Sequence, residues 1–232
     1  MCGRYALYGP RSRLYDQFDI VDDDVDEKPR DMPVDPFSSY NIAPSQSPPV
    51  IRTRPGAARE LIRARWGLLP SWVQDPGKLA QPINAKIETA AEKPMFRHAF
   101  RKSRVIVPAS GFYEWRPGPD FKQPFFVRPA GEQLFGFAAL LEHWAGTDGP
   151  LLTFAILTTA ANELMRPIHD RMPVILQPDD YAAWLDPGIT DAQIVHELAG
   201  QFPPEQMALH PVNRAVGNPR SQGPGLIEPV EI

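Results

Sequence analysis

The sequence predicts an α+β fold: a single domain with a mostly antiparallel, barrel-like sheet and short peripheral helices. Three observations predict it. Short runs rich in β-branched and aromatic residues recur along the chain, each bounded by Gly or Pro. The chain holds 28 prolines, which favour many short elements joined by fixed turns over long helices. Helical spacing of apolar residues is confined to brief segments such as Leu14 and Phe18. A length of 232 residues with 43% hydrophobic content is ample for one core, and with no internal repeat or composition break we read residues 1–232 as one domain.

The elements follow in order. Arg4–Tyr8 reads as a strand and Arg11–Phe18 as a helix. Ile20–Pro36, with Asp22-Asp23-Asp24 and Asp26-Glu27, reads as an acidic surface loop. Tyr40–Pro44 is extended into a turn, and Pro49–Arg54 and Glu60–Trp66 pair around Pro55-Gly56. Gly67–Pro82 is a loop, and Glu88–Phe100 is a helix restarted by Pro94. Strands follow at Val105–Val107, Gly111–Trp115, Pro124–Arg128, Leu134–Leu141 and Leu151–Thr158. Ala160–Arg166 reads as a helix, His169–Pro173 as a polar loop and Val174–Leu176 as a strand. Asp179–Leu185 and Asp191–Leu198 are helices opened by Asp caps, and Met207–Val212 is the last strand.

Composition narrows the function classes. A single cysteine excludes an internal disulfide framework and a cysteine-rich zinc site, and fits a reducing compartment. No secretory signal and no apolar run of membrane-spanning length is visible, so a cytoplasmic protein without membrane contact is expected, nucleoid-associated if bacterial. The net charge of −4 argues against nucleic acid until its distribution is considered. Residues 52–104 carry 12 Lys or Arg against 4 Asp or Glu, a local charge of +8, while the remainder carries −12. Trp66, Trp72, Phe96 and Phe100 lie among those cations, the combination that holds single strands by stacking and charge; a merely solvated surface is the other reading.

Four residues carry possible chemistry. Cys2 is the lone cysteine, and loss of Met1 would give it a free α-amine beside its thiol. Such a 1,2-aminothiol condenses with an aldehyde to an imine and closes to a thiazolidine. Its groups titrate at about 7.7–8.0 and 8.5, so both are partly reactive near neutrality. Alternatively, Cys2 is simply a small residue after the start. Asn84, in Pro82-Ile83-Asn84-Ala85-Lys86, is either a turn or helix-start residue or a site residue. Glu114, flanked by Tyr113 and Trp115, is either the outward member of an alternating strand or a desolvated acid of raised pKa. His169 is either a loop residue paired with Asp170 or a proton carrier.

Read together, these segments form a pattern. Met1-Cys2-Gly3-Arg4-Tyr5, Asn41-x-Ala43-Pro44, Arg65-Trp66-Gly67-Leu68-x-Pro70-x-Trp72 and Ile83-Asn84-Ala85-Lys86-x-Glu88-Thr89 come first. Pro108-x-x-Gly111-Phe112-Tyr113-Glu114-Trp115, Thr158-Thr159-Ala160-Ala161-Asn162, Ile168-His169-Asp170-Arg171-Met172-Pro173 and His210-Pro211-Val212-Asn213-x-Ala215-x-Gly217-Asn218 follow. In this order they resemble the SOS response-associated peptidase family, whose members process abasic sites.

The resemblance implies a specific chemistry. Met1 is removed, and N-terminal Cys2 captures the ring-opened aldehyde of an abasic site in single-stranded DNA as a thiazolidine crosslink. Asn84 positions the amine or the sugar, Glu114 shuttles protons, and His169 assists at the opened deoxyribose. Autoproteolysis at Met1 and an abasic-site lyase activity through the imine are implied with it. Arg4, Lys86 and Arg171 match phosphate-contact positions, and Pro44 and Trp72 match stacking or wedging positions. No metal or organic cofactor is implied, and a monomer is expected. Two positions depart from the family pattern: Lys86 stands where Arg is usual, replacing a planar fork by a point charge, and Val73 stands where a second Trp would offer another stacking platform. Two other classes share part of the signal. Class II glutamine amidotransferases also begin Met-Cys-Gly, and a non-covalent single-stranded DNA-binding module would need only the basic and aromatic residues.

Overall fold

The structure, a computed structural model, describes residues 2–23, 25, 37–54, 56, 58–75, 77, 79–146 and 149–232. Two sheets face each other. The smaller runs in the order β15 (Met207–Pro211), β10 (Gln123–Pro129), β9 (Gly111–Arg116), β1 (Tyr5–Tyr8) and β3 (Ser38–Ile42), antiparallel throughout. The larger runs β13 (Arg171–Pro173), β12 (Gly149–Ala160), β11 (Phe135–Gly146), β8 (Arg104–Ala109), β4 (Pro49–Thr53), β5 (Arg59–Arg63) and β2 (Ile20–Asp23). β14 (Ile175–Leu176) joins it on β11, while β6 (Arg65–Trp66) and β7 (Asn84–Lys86) lie parallel along β12. Short helices α1 (Arg11–Phe18), α2 (Ile87–Ala90), α3 (Arg97–Lys102), α4 (Tyr181–Leu185) and α5 (Ala192–Glu197) sit around them. This is the expected α+β, mostly antiparallel architecture; among the described residues neither sheet closes into a complete barrel.

Alternation along the strands decides which side chains meet between the sheets. Tyr5 of β1 and Phe112 of β9 point inward, where Tyr5 stacks edge-on against Trp66 (centroids 5.4 Å apart) and Phe112 against Phe137 (5.8 Å). Their neighbours Ala6 and Tyr113 point the other way, into a smaller cluster with Phe126, Val212, Val216 and Leu226 beneath the C-terminal segment. The same alternation turns Glu114 inward with Phe112. Its position two residues on along β9 fixes the carboxyl at the end of the apolar layer, with only 3% of its surface exposed.

Several elements differ from the sequence reading. Ile20–Asp23 is a strand parallel to β5 rather than loop; Asp23 takes the Tyr15 hydroxyl and an Arg11 ion pair, which holds the acidic segment down. The rest of the acidic stretch apart from Val25, residues 24 and 26–36, lies outside the described residues. The helix expected over Glu88–Phe100 is two short ones, α2 and α3, because Pro94 supplies no N–H to continue the first. Ala160 ends β12, and the expected helix after it is a set of turns pinned by Asn162 Oδ1 on the Met165 N–H (3.1 Å) and stopped at Pro167. Arg171–Pro173, read as loop, pairs with β12. Asp191 caps α5 as expected, accepting from the Gln193 N–H, whereas the Asp179 segment opens as a 3-10 turn without a side-chain cap.

The basic, aromatic middle of the sequence divides between structure and surface, with Lys86, Lys93, Arg97, Arg101 and Lys102 exposed. Trp66, Phe96 and Phe100 are core residues, and of that set Trp72 alone is well exposed, at 59%. Arg104 is buried and donates to the carbonyls of Trp184, Phe100, Arg101 and Asp186; burial lowers its pKa to about 10. Arg52 and Arg54 hold Glu60, Arg59 bonds Phe18 O and Asp19, and Arg63 donates to Ser47 O. Among the described residues no helix is long and apolar enough to cross a membrane.

Gly111 opens the strand that carries Glu114, and its close packing is testable. A Cβ there would sit 2.4 Å from Phe126 Cζ and 2.5 Å from the Val127 carbonyl oxygen, the second of which is backbone and cannot swing away. Gly111→Ala is expected to destabilise the fold by about 1–3 kcal/mol through overpacking. Urea unfolding checks this, as a lower midpoint at unchanged slope.

Candidate active site

Four chain segments converge at one end of the cleft between the sheets. Cys2 lies three residues before the start of β1 and is fully buried; the Arg4 carbonyl accepts from the Tyr113 N–H (2.9 Å), which lays this amino-terminal stretch beside Glu114 on β9. Asn84 opens β7, held in register by pairing with Ile156 of β12. Its Nδ2 donates to the Cys2 carbonyl oxygen at 2.8 Å. Because that oxygen can only accept, the amide must present its NH2 there, and Oδ1 faces the other way. Oδ1 is buried and has no hydrogen-bond partner among the described residues, an acceptor open to an amine or a hydroxyl. His169 hangs between the Asn162 turns and β13, with its backbone N–H on the Met165 carbonyl (3.0 Å). Its ring Nδ1 faces both the Arg171 N–H (3.0 Å) and Asp170 Oδ1 (2.8 Å), so it meets the first as a bare acceptor and the second when it carries a hydrogen. Glu114 and His169 line one cavity of about 420 Å³ together with Trp115, Lys122 and Gly217.

The electrostatics follow from this packing. Burial between the sheets pushes the Glu114 carboxyl above its ordinary value, opposed by His169. Of the two readings open for Glu114, the structure selects the desolvated acid. Burial likewise pushes the Cys2 thiol far above its usual range, and the charge of Glu114 adds to this. Its Sγ lies 3.9 Å from the Arg4 carbonyl, a weak donor contact. Burial thus favours the thiol over the thiolate at Cys2. Among the described residues no group of three or more His, Cys, Asp and Glu side chains is placed to hold a metal ion.

The five residues expected at the DNA divide by role. Arg4 donates to Asn41 Oδ1 (2.9 Å) and to Val216 O (2.8 Å), while the Asn41 amide donates to Val216, Asn218 and Ser221 carbonyls. These bonds fix the 3-10 turn Arg214–Gly217, whose Gly217 lines the cavity. Arg171 forms a bidentate pair with Glu88 (2.6 and 2.9 Å) and also bonds Thr158 O, and the guanidinium holds Glu88 below the usual carboxylate range. Lys86 is exposed and shares the Asn84 face of β7. Trp72 projects from a turn whose stem is fixed: Val73 is buried, its carbonyl takes the Trp144 indole N–H (2.6 Å) and its N–H bonds Pro70 O (3.1 Å). Val73 thus points into the protein, where it offers no stacking face. Pro44 is half-buried at the turn after β3. Trp115, Lys122 and Gly217 were not singled out from the sequence as site residues; Trp115 and Gly217 belong to the recurring segments, whereas Lys122 sits in a loop with no pattern to mark it.

Comparison with known proteins agrees along the whole chain. Residues 1–219 match the SOS response associated peptidase (SRAP) family. The abasic site processing protein YoqW of Bacillus subtilis is 39% identical over 230 residues, covering 98% of this chain and 99% of that one. The abasic site processing protein YedK of Escherichia coli is 35% identical, covering 99% and 100%. A crystal structure of a protein from Bacteroides thetaiotaomicron superposes with a TM-score of 0.86 at 25% identity, covering 99% of this chain and all of that one. With Cys2, Asn84, Glu114 and His169 gathered as described, the chain belongs to the SOS response associated peptidase family.

Proposed function

We propose that this protein processes abasic sites in single-stranded DNA by covalent capture at Cys2. The observation that carries the reading is the contact of the Asn84 amide with the Cys2 carbonyl beside a buried Glu114 whose pKa burial raises. The names of its relatives, abasic site processing proteins, support the substrate class.

The chemistry runs in balanced steps. Hydrolysis of the Met1–Cys2 peptide bond, by the protein's own peptidase activity, frees the Cys2 α-amine. That amine adds to the C1′ aldehyde of the ring-opened deoxyribose, forming the C–N bond of a carbinolamine. Glu114 as an acid protonates the departing hydroxyl, which leaves as water and yields the imine. The thiol sulfur then bonds to the imine carbon while its proton passes to the nitrogen, closing the thiazolidine. The net loss is one water. Asn84 Oδ1 orients the amine or a sugar hydroxyl, and His169, opposite Glu114 in the cavity, moves protons at the opened sugar. From the same imine, proton loss at C2′ expels the 3′ phosphate, which is the lyase branch. The raised carboxyl suits the acid role because it stays protonated nearer to neutral pH than an exposed glutamate.

Two outcomes test this. Intact mass of protein incubated with an abasic single-stranded oligonucleotide should show loss of Met1 and a denaturant-stable adduct of protein plus oligonucleotide minus one water. Cys2→Ala should form none, and persistence of the adduct in that variant would refute the assignment. Glu114→Gln should slow adduct formation roughly 100-fold or more. The wild-type rate should rise as the α-amine deprotonates and fall as Glu114 ionises, and the falling limb should vanish in the variant. The same change should raise thermal stability at neutral pH. An acid whose pKa is raised on folding binds its proton more tightly folded than unfolded, so stability declines as pH rises from the ordinary carboxylate range through the raised value. A neutral glutamine removes that decline, which melting curves across pH will show.

A further inference from the structure

The cations that the recurring segments place at the DNA are largely occupied. Arg4 is bound to Asn41 and Val216, and Arg171 to Glu88 and Thr158. The positive side chain that lines the cavity is a different one, Lys122, at the base of the loop before β10. Lys122 is exposed and makes no ion pair or hydrogen bond among the described residues. Next to it, Phe121 is 45% exposed, and the Arg214 guanidinium carbon lies 4.3 Å over its ring. Arg214 opens the turn that ends at Gly217 on the cavity wall. An exposed phenylalanine holding an exposed arginine flat orders that cation without neutralising it. Asp120 is the only acid between Arg116 and Lys122, and the exposed Asp170 across the cavity is engaged with His169.

From this the geometry points to a phosphate-binding rim formed by Lys122 and Arg214, on the five-stranded-sheet side of the cleft, facing the DNA backbone that flanks the captured nucleotide. It rests on the proposed function for its ligand. An opened deoxyribose has its aldehyde only a few bonds from both of its phosphates, so a sugar reaching Glu114 and His169 must leave phosphates at the mouth. Lys86, on the Asn84 face of β7, stands on the rim supplied by the other sheet. The strand would then cross the mouth between cations of both sheets, and Phe121 adds a ring at the rim to support a neighbouring base.

The test is fluorescence anisotropy of a labelled, undamaged single-stranded oligonucleotide titrated with wild type, Lys122→Gln, Lys122→Arg and Arg214→Gln over a series of sodium chloride concentrations. Each phosphate contact on a single strand contributes about 0.7 to the slope of log affinity against log salt. Lys122→Gln and Arg214→Gln should each reduce the slope by about that amount, and Lys122→Arg should restore it. Unchanged slopes in both Gln variants would overturn the inference. Adduct formation by wild type on abasic DNA is read separately. An adduct with unchanged slopes leaves the covalent reading standing and removes the rim. Reduced slopes without an adduct keep the rim and remove the covalent chemistry, and no binding by wild type removes both.

Discussion

A carboxyl group set between two apolar sheets is the constraint around which this molecule is arranged. β9 must bury Phe112 against Phe137 to join the sheets, and strand alternation then carries Glu114 to the same face. An ionised carboxylate there is costly, and the cost is lowered by holding a proton or by facing positive charge. The chain places such a charge at hand, since His169 opposes the effect of burial. The packing that makes the two-sheet core also tightens the carboxyl's hold on its proton.

The neighbours of that acid come from segments distant in sequence, and each is tied by bonds that would be hard to satisfy separately. The Asn84 amide bridges β7 to the Cys2 carbonyl. Arg4, two residues after Cys2, reaches across to Asn41 and to the turn near Gly217, and Asn41 gathers three carbonyls of that turn and the segment after it. Arg171 and Glu88 lock β13 beside α2, so His169 is presented from a strand end rather than from a free loop. Charge-assisted bonds of this kind, partly screened from water, set geometry more than they add stability. A site built this way is rigid at the backbone and leaves only side-chain termini, Asn84 Oδ1 among them, open to a substrate.

The sequence made the strands of the two sheets readable because their patterns are local. Gly111–Trp115 and Leu134–Leu141 carry β-branched or aromatic runs with clear punctuation, and α1 matched residue for residue. Elements set by distant partners were not readable. β2 forms because β5 offers an edge and Arg11 with Tyr15 secures Asp23, none of which shows in an acidic run. Arg171–Pro173 looks polar but completes β12. The site divided in the same way. Cys2, Asn84, Glu114 and His169 stood out through chemistry and recurring segments, while the inward turn of Glu114 depended on which face of β9 meets the larger sheet. Lys122 was invisible because nothing local distinguishes a lysine on a cavity rim from one in open solvent.

Charge follows the same logic. The basic excess over residues 52–104 suggested a DNA-binding face, yet Arg104 is buried under four carbonyls and Arg52, Arg54 and Arg59 hold nearby acids. A cation already paired contributes little to releasing counterions from a phosphate backbone. What matters for a polyanion is positive charge that is both exposed and uncompensated. Among the described residues, Lys86 on one sheet and Lys122 with Arg214 on the other meet that condition, as do Lys93, Arg97, Arg101, Lys102, Arg166 and Arg220, and of these Lys122 is the one that lines the cavity. On the proposed function, the selectivity for an abasic strand then rests less on the number of free cations than on whether a sugar can enter the cavity that Glu114 and His169 line.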